Sequence, residues 1–348
     1  MLKSPRSATG GFRLLHRRHE GLVSTKDLDD AVRTRFEQRP KMGPSPELPR
    51  VSTLSVNGMD YYLRLYRLDR LIAAARALWV SQFALQAGID IPRTVQTCFT
   101  NIRGQRVFAI LEESVDGTTC WEKISPLSVA SLADSARRWH GMSPTCVKPY
   151  KGLFVHDHGT FQRRVKRVEQ SGQPWSESER RLIDLAQQML DRPEMHGFTA
   201  LSHGDVNPHN LIMRKTESVA WIDFERITLR PIWHDLSAII SNVLRRHGNA
   251  LVDLFENRYF SGLPELHEHW RAIHAHWFLI YHVIEGVKWR SKPREGDKGG
   301  SMREEWARNA FVLAASFQGS EQNQRSSTDL MAHAENALRN NLKPAHKA

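Results

Sequence analysis

Apolar and polar residues alternate over residues 51–66 and predict a β-hairpin. Val51–Val56 and Tyr61–Tyr66 both alternate, and Asn57-Gly58 between them is typical of a tight hairpin turn. The segments that follow continue a sheet-based pattern, with a helix predicted over Leu71–Ala87 and ended by Gly88, and strands predicted over Arg93–Phe99 and Arg106–Glu112. These elements together predict a small sheet-based lobe.

Helical periodicity dominates the chain from Pro126 onward. The predicted helices are Leu127–Met142, Phe161–Gln170, Glu177–Leu190, Asp235–Arg246, Leu251–Phe255, Leu266–Val287 and Arg303–Phe317. A sheet-rich half followed by a helix-rich half predicts an α+β fold with two lobes.

Both ends of the chain have a different composition. Residues 1–48 are rich in Arg, Pro, Ser and Gly, and we expect a basic, partly disordered extension with a helix over Thr25–Gln38. Residues 321–348 are polar and predict a tail with a frayed helix. No internal repeat is visible.

The most informative segment is LSHGDVNPHNLIMRKTESVAWIDF, residues 201–224. Its short apolar runs, Leu211–Met213 and Val219–Ile222, flank a polar turn and predict a second β-hairpin. Because a hairpin returns the chain on itself, we expect Asn210 and Asp223 to face one point, with Asp205 on the loop beside them.

These three side chains suit phosphoryl transfer. An amide oxygen and a carboxylate, from Asn210 and Asp223, suit Mg²⁺, which takes oxygen ligands and binds through few protein groups plus phosphates. A second carboxylate that is not a ligand, Asp205, suits a base that orients or deprotonates a hydroxyl.

The same residues carry a resemblance to a known family. The pattern H-G-D-x-x-x-x-N followed by I-D-F-E is met by His203, Gly204, Asp205, Asn210, Ile222, Asp223, Phe224 and Glu225. It resembles the aminoglycoside phosphotransferase and choline kinase family, the small-molecule branch of the protein-kinase-like fold. The resemblance implies an ATP- and Mg²⁺-dependent kinase with an N-lobe over residues 49–115 that clamps the nucleotide. A helical C-lobe over residues 116–320 would then hold the catalytic loop and the acceptor pocket.

The residues that would bind the nucleotide depart from the family pattern. The resemblance implies that Arg64 contacts phosphates, with Arg67 as a competing candidate, and that backbone groups near Glu112 meet the adenine. The helix Leu71–Ala87 contains no acidic residue to fix that arginine, and the glycine-rich phosphate loop is reduced to Gly43-Pro44-Ser45. A catalytically impaired pseudokinase that binds nucleotide or acts as a scaffold is therefore an alternative.

The acceptor remains open among an aminoglycoside, a choline-like compound, an amino acid and a sugar. Asn207 stands where protein kinases usually carry lysine, which favours a small hydroxylated substrate over a protein. His282, Glu285 and Trp289 recur at helical spacing, either as part of an acceptor pocket or as a core-facing stripe with one surface glutamate. We expect structural roles for His203, as a partner of backbone near Asp223, and for Asp235, as an N-cap or first-turn carboxylate.

Composition adds few constraints. The chain has 348 residues, a net charge of +11, three cysteines without a C-x-x-C motif, and no apolar run of membrane-spanning length. We expect a cytoplasmic protein without a signal peptide. Basic clusters such as residues 163–167 carry no interleaved aromatics, so we expect solvated helix faces and no nucleic-acid partner. Contact with a membrane surface, as in a sugar or lipopolysaccharide kinase, stays open.

Overall fold

The fold is known from a computed structural model. It describes residues 51–56, 59–102, 105–142, 154, 159–172, 175–291, 296–318 and 326–341. The predicted helix Thr25–Gln38, the remnant Gly43-Pro44-Ser45 and the turn Asn57-Gly58 lie outside the described residues.

The chain divides into two compact units. The first comprises residues 1–74 and 92–114, and the second comprises residues 75–91 and 115–348. The boundaries fall inside one helix, between Ile91 and Pro92, and between Ser114 and Val115.

The first unit is built on one antiparallel sheet in the order β1-β2-β4-β3. Its strands are β1 (Val51–Val56), β2 (Met59–Arg67), β3 (Thr94–Ile102) and β4 (Gln105–Glu113). The hairpin predicted from the alternation is confirmed, with Val51 opposite Arg64 and Val56 opposite Met59. Leu63, Ile110 and Leu111 are fully buried, so the two central strands provide the apolar core of this unit.

A helix, α1 (Leu71–Phe83), follows β2. It ends four residues before the predicted end at Ala87, because residues 84–88 form a turn in which the Gly88 N–H donates to the Leu85 carbonyl. Gly88 itself has a positive φ of 71°, the conformation that favours glycine after a helix.

The second unit combines helices with two small sheets. The helices are α2 (Pro126–Gly141), α3 (Gly159–Gln170), α4 (Glu177–Leu190), α5 (Trp233–Ala238), α6 (Asn249–Tyr259), α7 (Pro264–Arg290), α8 (Gly296–Phe317) and α9 (Ser327–Asn341). The strands are β5 (Thr118–Thr119), β6 (Thr199–Ser202), β7 (Leu211–Met213), β8 (Val219–Trp221) and β9 (Thr228–Pro231), with β5-β7-β8 in one sheet and β6-β9 in the other. The α+β class predicted from the sequence is confirmed.

Buried tryptophans form the centre of the second unit. Trp139, Trp221, Trp233 and Trp270 are all fully buried. The Trp221 ring stacks on Trp139 at a centroid distance of 6.3 Å, and its Nε1–H donates to the Ser135 hydroxyl over 2.9 Å. This packing fixes β8, the strand that leads into Asp223, against α2.

Two predicted helices differ from the structure. The single helix expected over Asp235–Arg246 is α5 followed by a π-helical segment, Ile239–Val243, and a 3₁₀ segment, Leu244–His247. Within it the Ser241 hydroxyl donates to the Ser237 carbonyl, a side-chain bond that competes with regular helix geometry. The helix expected in the polar tail is present as α9, but it differs from the expectation because it packs against the buried core.

Helix α9 is anchored by apolar and polar contacts. Leu330, Met331 and Ala334 belong to the buried core, and the Ser327 hydroxyl donates to the buried Glu256 carboxylate over 2.6 Å. The sequence prediction also missed strands β6 and β9. Among the described residues, no helix is long and apolar enough to cross a bilayer.

Candidate active site

The predicted hairpin exists and brings Asn210 and Asp223 to the same end. Leu211 pairs with Trp221, and beyond that pair the Ile222 N–H donates to the Asn210 carbonyl over 3.0 Å. Asp223 follows Ile222 directly, so its Cα lies next to the backbone of Asn210. The antiparallel pairing therefore brings the backbones of these two residues together, and the prediction that their side chains face one point stays a prediction.

Asp205 lies on the loop after β6. Gly204 precedes it with a φ of 74°, and a Cβ at that position would lie 2.7 Å from the Arg226 carbonyl oxygen and 2.7 Å from an Arg230 guanidinium nitrogen. Only glycine avoids both the strained φ and the collision. This close approach holds the Asp205 loop against the segment that carries Arg226.

Two asparagines fix the backbone of Asp205. The Asn210 Nδ2 donates to the Asp205 carbonyl over 2.9 Å, and the Asn207 Nδ2 donates to the same oxygen over 3.1 Å. Since a carbonyl only accepts, these bonds also set the orientation of both amides. Asn210 is thereby left with its Oδ1 as an acceptor, while the Asn207 Oδ1 accepts from the His209 N–H.

Two cations contact the Asp205 carboxylate on one oxygen. The Lys288 Nζ lies 3.2 Å and the Arg226 Nη1 lies 3.3 Å from Oδ1. Burial alone would raise the pKa of Asp205, but the charges of Lys288 and Arg226 and the hydrogen bond from Lys288 outweigh it, so the pKa lies below its usual value. Among the described residues, none hydrogen-bonds to Oδ2. The carboxylate is therefore held ionised, and the described residues leave its Oδ2 without a hydrogen bond.

Asp223 has an unusual backbone conformation. Its φ of 66° and ψ of 63° place it in the left-handed region, which non-glycine residues rarely adopt. Such strain is typical of functional positions where the surrounding structure dictates the conformation. Among the described residues, no group of three or more His, Cys, Asp or Glu side chains could hold a metal by itself. A carboxylate and an amide oxygen still fit Mg²⁺, because that ion retains waters and binds substrate phosphates.

The Asp235 side chain holds the backbone of the loop before Asp205. This fully buried carboxylate accepts hydrogen bonds from the N–H groups of His203 over 2.6 Å and Gly204 over 3.0 Å. It lies in the first turn of α5, which confirms the first-turn alternative, whereas the N-cap is Ile232. The structural role is confirmed, although its target is the loop before Asp205 and not the helix end.

His203 connects the two halves of the site. Its Nε2–H donates to the Ile222 carbonyl over 2.9 Å, and its Nδ1 accepts from the Asp205 N–H over 3.3 Å. These partners define one tautomer, because a carbonyl cannot donate. The expectation that His203 bonds to backbone near Asp223 is confirmed.

In the first unit, Arg64 has an acidic partner that the sequence analysis did not identify. The Arg64 Nε lies 2.7 Å from the Glu112 Oε2, and both side chains are buried. Glu112 is on β4, opposite Tyr62, so strand pairing supplies the carboxylate that α1 lacks. The competing candidate Arg67 is exposed and pairs with Asp69.

Replacing Glu112 with glutamine is expected to destabilise the protein by about 3 kcal/mol, because a buried arginine loses a charged partner. The double variant Arg64→Met/Glu112→Leu is expected to recover most of that stability, since an apolar pair of similar volume removes both buried charges. Thermal unfolding of the three proteins checks this. A Glu112→Gln protein as stable as the wild type would contradict the buried ion pair.

Sequence reasoning missed Lys288 and Arg226 as neighbours of Asp205. Lys288 also contacts the Glu285 carboxylate over 2.9 Å, and the only local signal was their i, i+3 spacing on α7. Of the predicted stripe on α7, Glu285 joins this group, and the Lys288 Nζ lies 5.4 Å from the centroid of the Trp289 ring. His282 is buried against the Phe317 ring, and burial followed by the charge of Arg245 lowers its pKa to about 3.

Most of the chain matches one known protein family. Residues 48–273 match the family described as the phosphotransferase enzyme family. No curated protein matches the chain. Among solved structures, a microcompartment-associated aminopropanol kinase is similar with a TM-score of 0.61 and 16% identity, covering 81% of this chain and 92% of that one.

Two phosphotransferase structures are also similar. An aminoglycoside-3'-phosphotransferase of type VIII has a TM-score of 0.55 and 20% identity, covering 75% of this chain and 99% of that one. The GDP complex of aminoglycoside 2'-phosphotransferase-IIIa has a TM-score of 0.57 and 15% identity, covering 83% and 99%. These likenesses show that the fold is the two-lobed protein-kinase-like fold predicted from the sequence. The scaffold alternative gains no support, because the family that matches residues 48–273 is described as an enzyme family.

Proposed function

Since this chain belongs to the phosphotransferase enzyme family, we propose that it transfers the γ-phosphoryl group of ATP to a hydroxyl of a small molecule. The supporting observation concerns the Asp205 carboxylate. Lys288 and Arg226 contact its Oδ1, while none of the described residues hydrogen-bonds to its Oδ2. The acceptor belongs to the hydroxylated compounds that include aminoglycosides, choline-like alcohols, amino acids and sugars.

In the proposed reaction Asp205 is the catalytic residue. Its Oδ2 accepts the hydrogen bond of the acceptor hydroxyl and orients that oxygen toward the γ-phosphorus. The hydroxyl oxygen forms the new P–O bond, and the bond from the γ-phosphorus to the β–γ bridging oxygen breaks. ADP leaves with that electron pair, and the hydroxyl proton passes to Asp205. Because the pKa of Asp205 is below its usual value, its main contribution is orientation.

Asn210 and Asp223 are proposed as the Mg²⁺ ligands. When bound, the ion supplies positive charge to the β- and γ-phosphate oxygens. The Asn210 Nδ2 donates to the Asp205 carbonyl, which leaves the Asn210 Oδ1 as the atom that would bind the ion. In the first unit, Arg64 is proposed to contact phosphates, and the backbone near Glu112 is proposed to meet the adenine.

The nucleotide and metal assignments can be tested by binding. We expect Mg·ATP to raise the thermal unfolding temperature of the wild type, since a ligand at 100 times its Kd stabilises the folded state by about 2.7 kcal/mol. Asp223→Asn should lose the part of the shift that requires Mg²⁺. Asp191→Asn, which changes an exposed aspartate after α4, is the matched control. Parallel titrations with GTP decide which nucleotide is preferred.

Turnover tests the function itself. ADP release is measured with a panel of hydroxylated metabolites and aminoglycosides. The proposal predicts release that depends on the acceptor and on Mg²⁺. It is refuted if no acceptor in the panel stimulates ADP release, or if Asp223→Asn turns over ATP at the wild-type rate.

A further inference from the structure

The Lys288 ammonium lies between two carboxylates. Its Nζ is 3.2 Å from the Asp205 Oδ1 and 2.9 and 3.0 Å from the two carboxylate oxygens of Glu285. An ammonium has three N–H donors and no acceptor, so these three oxygens can use all of them. The Lys288 side chain is only 9% exposed, which leaves little water to compete for these bonds. The ammonium therefore has a defined position beside the Asp205 carboxylate.

Arg226, the second cation on this oxygen, is held less tightly. Its Nη1 lies 3.3 Å from the Asp205 Oδ1, but its side chain is 41% exposed. Exposed ion pairs contribute little, because solvent screens the charges and a long side chain loses rotational freedom in forming them. Charged hydrogen bonds in buried surroundings are stronger. Lys288 is therefore the main partner of Oδ1.

Neighbours on α7 hold Lys288 in place. Glu285 precedes it by three residues, so both side chains lie on the same face of the helix. The Lys288 Nζ also lies 5.4 Å from the centroid of the Trp289 ring, within the range of a cation–π contact. At Gly286 the helix packs so closely on α8 that a Cβ would lie 2.8 Å from the Phe311 ring. This packing fixes the turn of α7 that carries the lysine.

These contacts restrict the Asp205 carboxylate. A carboxylate bonded through one oxygen cannot rotate freely about its terminal torsion, which otherwise has broad energy wells. Lys288 and Arg226 contact Oδ1, whereas no residue that the structure describes hydrogen-bonds to Oδ2. A group that orients a reacting hydroxyl has to be held in one geometry, and a misplacement of about 1 Å lowers a rate by about 100-fold. Lys288 is thus placed to keep the proposed catalytic residue in one orientation.

We propose that Lys288 is a positioning residue for phosphoryl transfer. Its ammonium, held by Glu285, fixes the Asp205 carboxylate through Oδ1, so that Oδ2 is the oxygen that meets the acceptor hydroxyl. The inference rests on the proposed function and adds a residue to it. Lys288 neither gains nor loses a proton in this role, and the bonds made and broken are those of the phosphoryl transfer itself.

The role is tested by the kinetics of ADP release. Lys288→Met keeps most of the side-chain length but removes the charge, and it should lower kcat by about 10- to 100-fold, because the Asp205 carboxylate is then less restrained. The KM for Mg·ATP should stay within about twofold of the wild-type value, since a residue that acts on Asp205 does not contribute to nucleotide binding. Lys288→Arg should retain part of kcat, because the charge remains while the shape of the donor group changes.

A double-mutant cycle shows whether Lys288 acts through Asp205. In the Asp205→Asn background, Lys288→Met should change kcat by less than about threefold, since residues that act as one unit have non-additive effects. Glu285→Gln should lower kcat less than Lys288→Met does, because the lysine remains but loses the charge that holds it. A lysine that merely supports the fold would lower kcat by the same factor in both backgrounds.

Two further variants control for folding. Arg290→Met removes a cation from the same helix, one that pairs with Glu179 on α4, and it should leave kcat unchanged. Lys288→Met/Glu285→Gln removes the lysine together with the charge of its partner, so that Glu285 is not left as an unpaired carboxylate. This double variant replaces Lys288→Met in the cycle if the single variant does not fold. Unfolding temperatures are measured for all variants.

Three results would overturn the inference. They are a kcat of Lys288→Met within about twofold of the wild type, a rise of at least about tenfold in the KM for ATP or acceptor, which would make Lys288 a substrate-binding residue, and equal losses of kcat in both backgrounds. Failure of the proposed function looks different. In that case the wild type would phosphorylate no acceptor, or Asp205→Asn would turn over at the wild-type rate, and the positioning role would fall with it.

Discussion

Replacing Asp205 with asparagine is expected to lower phosphoryl transfer by about 10³-fold while the protein remains folded. Asparagine has the same shape, so the loop and its backbone bonds from Asn207 and Asn210 are retained. The variant loses the negative charge that accepts the acceptor proton and that balances Lys288 and Arg226. The measurement is kcat from ADP release with the best acceptor of the panel, together with the unfolding temperature.

A matched control separates the catalytic effect from a general effect of charge. Asp184→Asn changes an exposed aspartate on α4 and should leave kcat and the unfolding temperature unchanged. If Asp205→Asn retained more than a tenth of the wild-type kcat, Asp205 would not be the catalytic residue.

Replacing Asp235 with asparagine is expected to destabilise the protein by about 3 kcal/mol. Its carboxylate accepts the N–H groups of His203 and Gly204, and an amide nitrogen in place of one oxygen would face a donor with a donor. The loop before Asp205 would also lose its anchor, so kcat should fall. Denaturant unfolding and ADP release are the measurements.

The effect of Asp235 depends on pH in a defined direction. Burial alone would raise the pKa of Asp235, but hydrogen bonds and charges from His140 and His234 hold it well below its usual value. An aspartate in the unfolded chain titrates near about 3.9. The stabilisation is therefore fully present above that pH and is lost as the pH falls through the lower folded pKa.

The stability difference between the wild type and Asp235→Asn should accordingly be constant from neutral pH down to about pH 5 and shrink in stronger acid. Asp134→Asn is the control, because Asp134 forms a half-exposed ion pair with Arg258 and its loss should matter much less. A difference that grew toward acid pH would contradict an ionised Asp235 in the folded protein.

Local patterns predicted the elements that carry the residues proposed for the reaction. The hairpin around Asn210 and Asp223 follows from two short apolar runs and a polar turn, and the first-unit hairpin follows from alternation and Asn57-Gly58. In both cases the interactions join residues close in sequence, so neighbouring side chains specify them. The bond of His203 to backbone near Asp223 was predicted from the family pattern on the same segment.

Contacts between distant segments were beyond that kind of reasoning. Lys288 is 83 residues from Asp205, and Glu112 is 48 residues from Arg64. Neither pairing leaves a periodic signal, because each depends on which helix or strand packs beside the site. Because helix α1 contains no acidic residue, the sequence suggested that Arg64 had no carboxylate partner. Strand pairing, which the sequence analysis did not consider, places Glu112 beside Arg64.

The sequence by itself determined the fold class and the three residues proposed for chemistry, since hairpin geometry and motif spacing act over short stretches of chain. Only the tertiary structure decided which charges surround the Asp205 carboxylate. Helix α7 brings Lys288 and Glu285 to it from a remote position in the chain, and electrostatic interactions depend on distance in space. The residues proposed for the reaction could therefore be identified from the sequence, whereas the charges around the Asp205 carboxylate depend on how the helices pack.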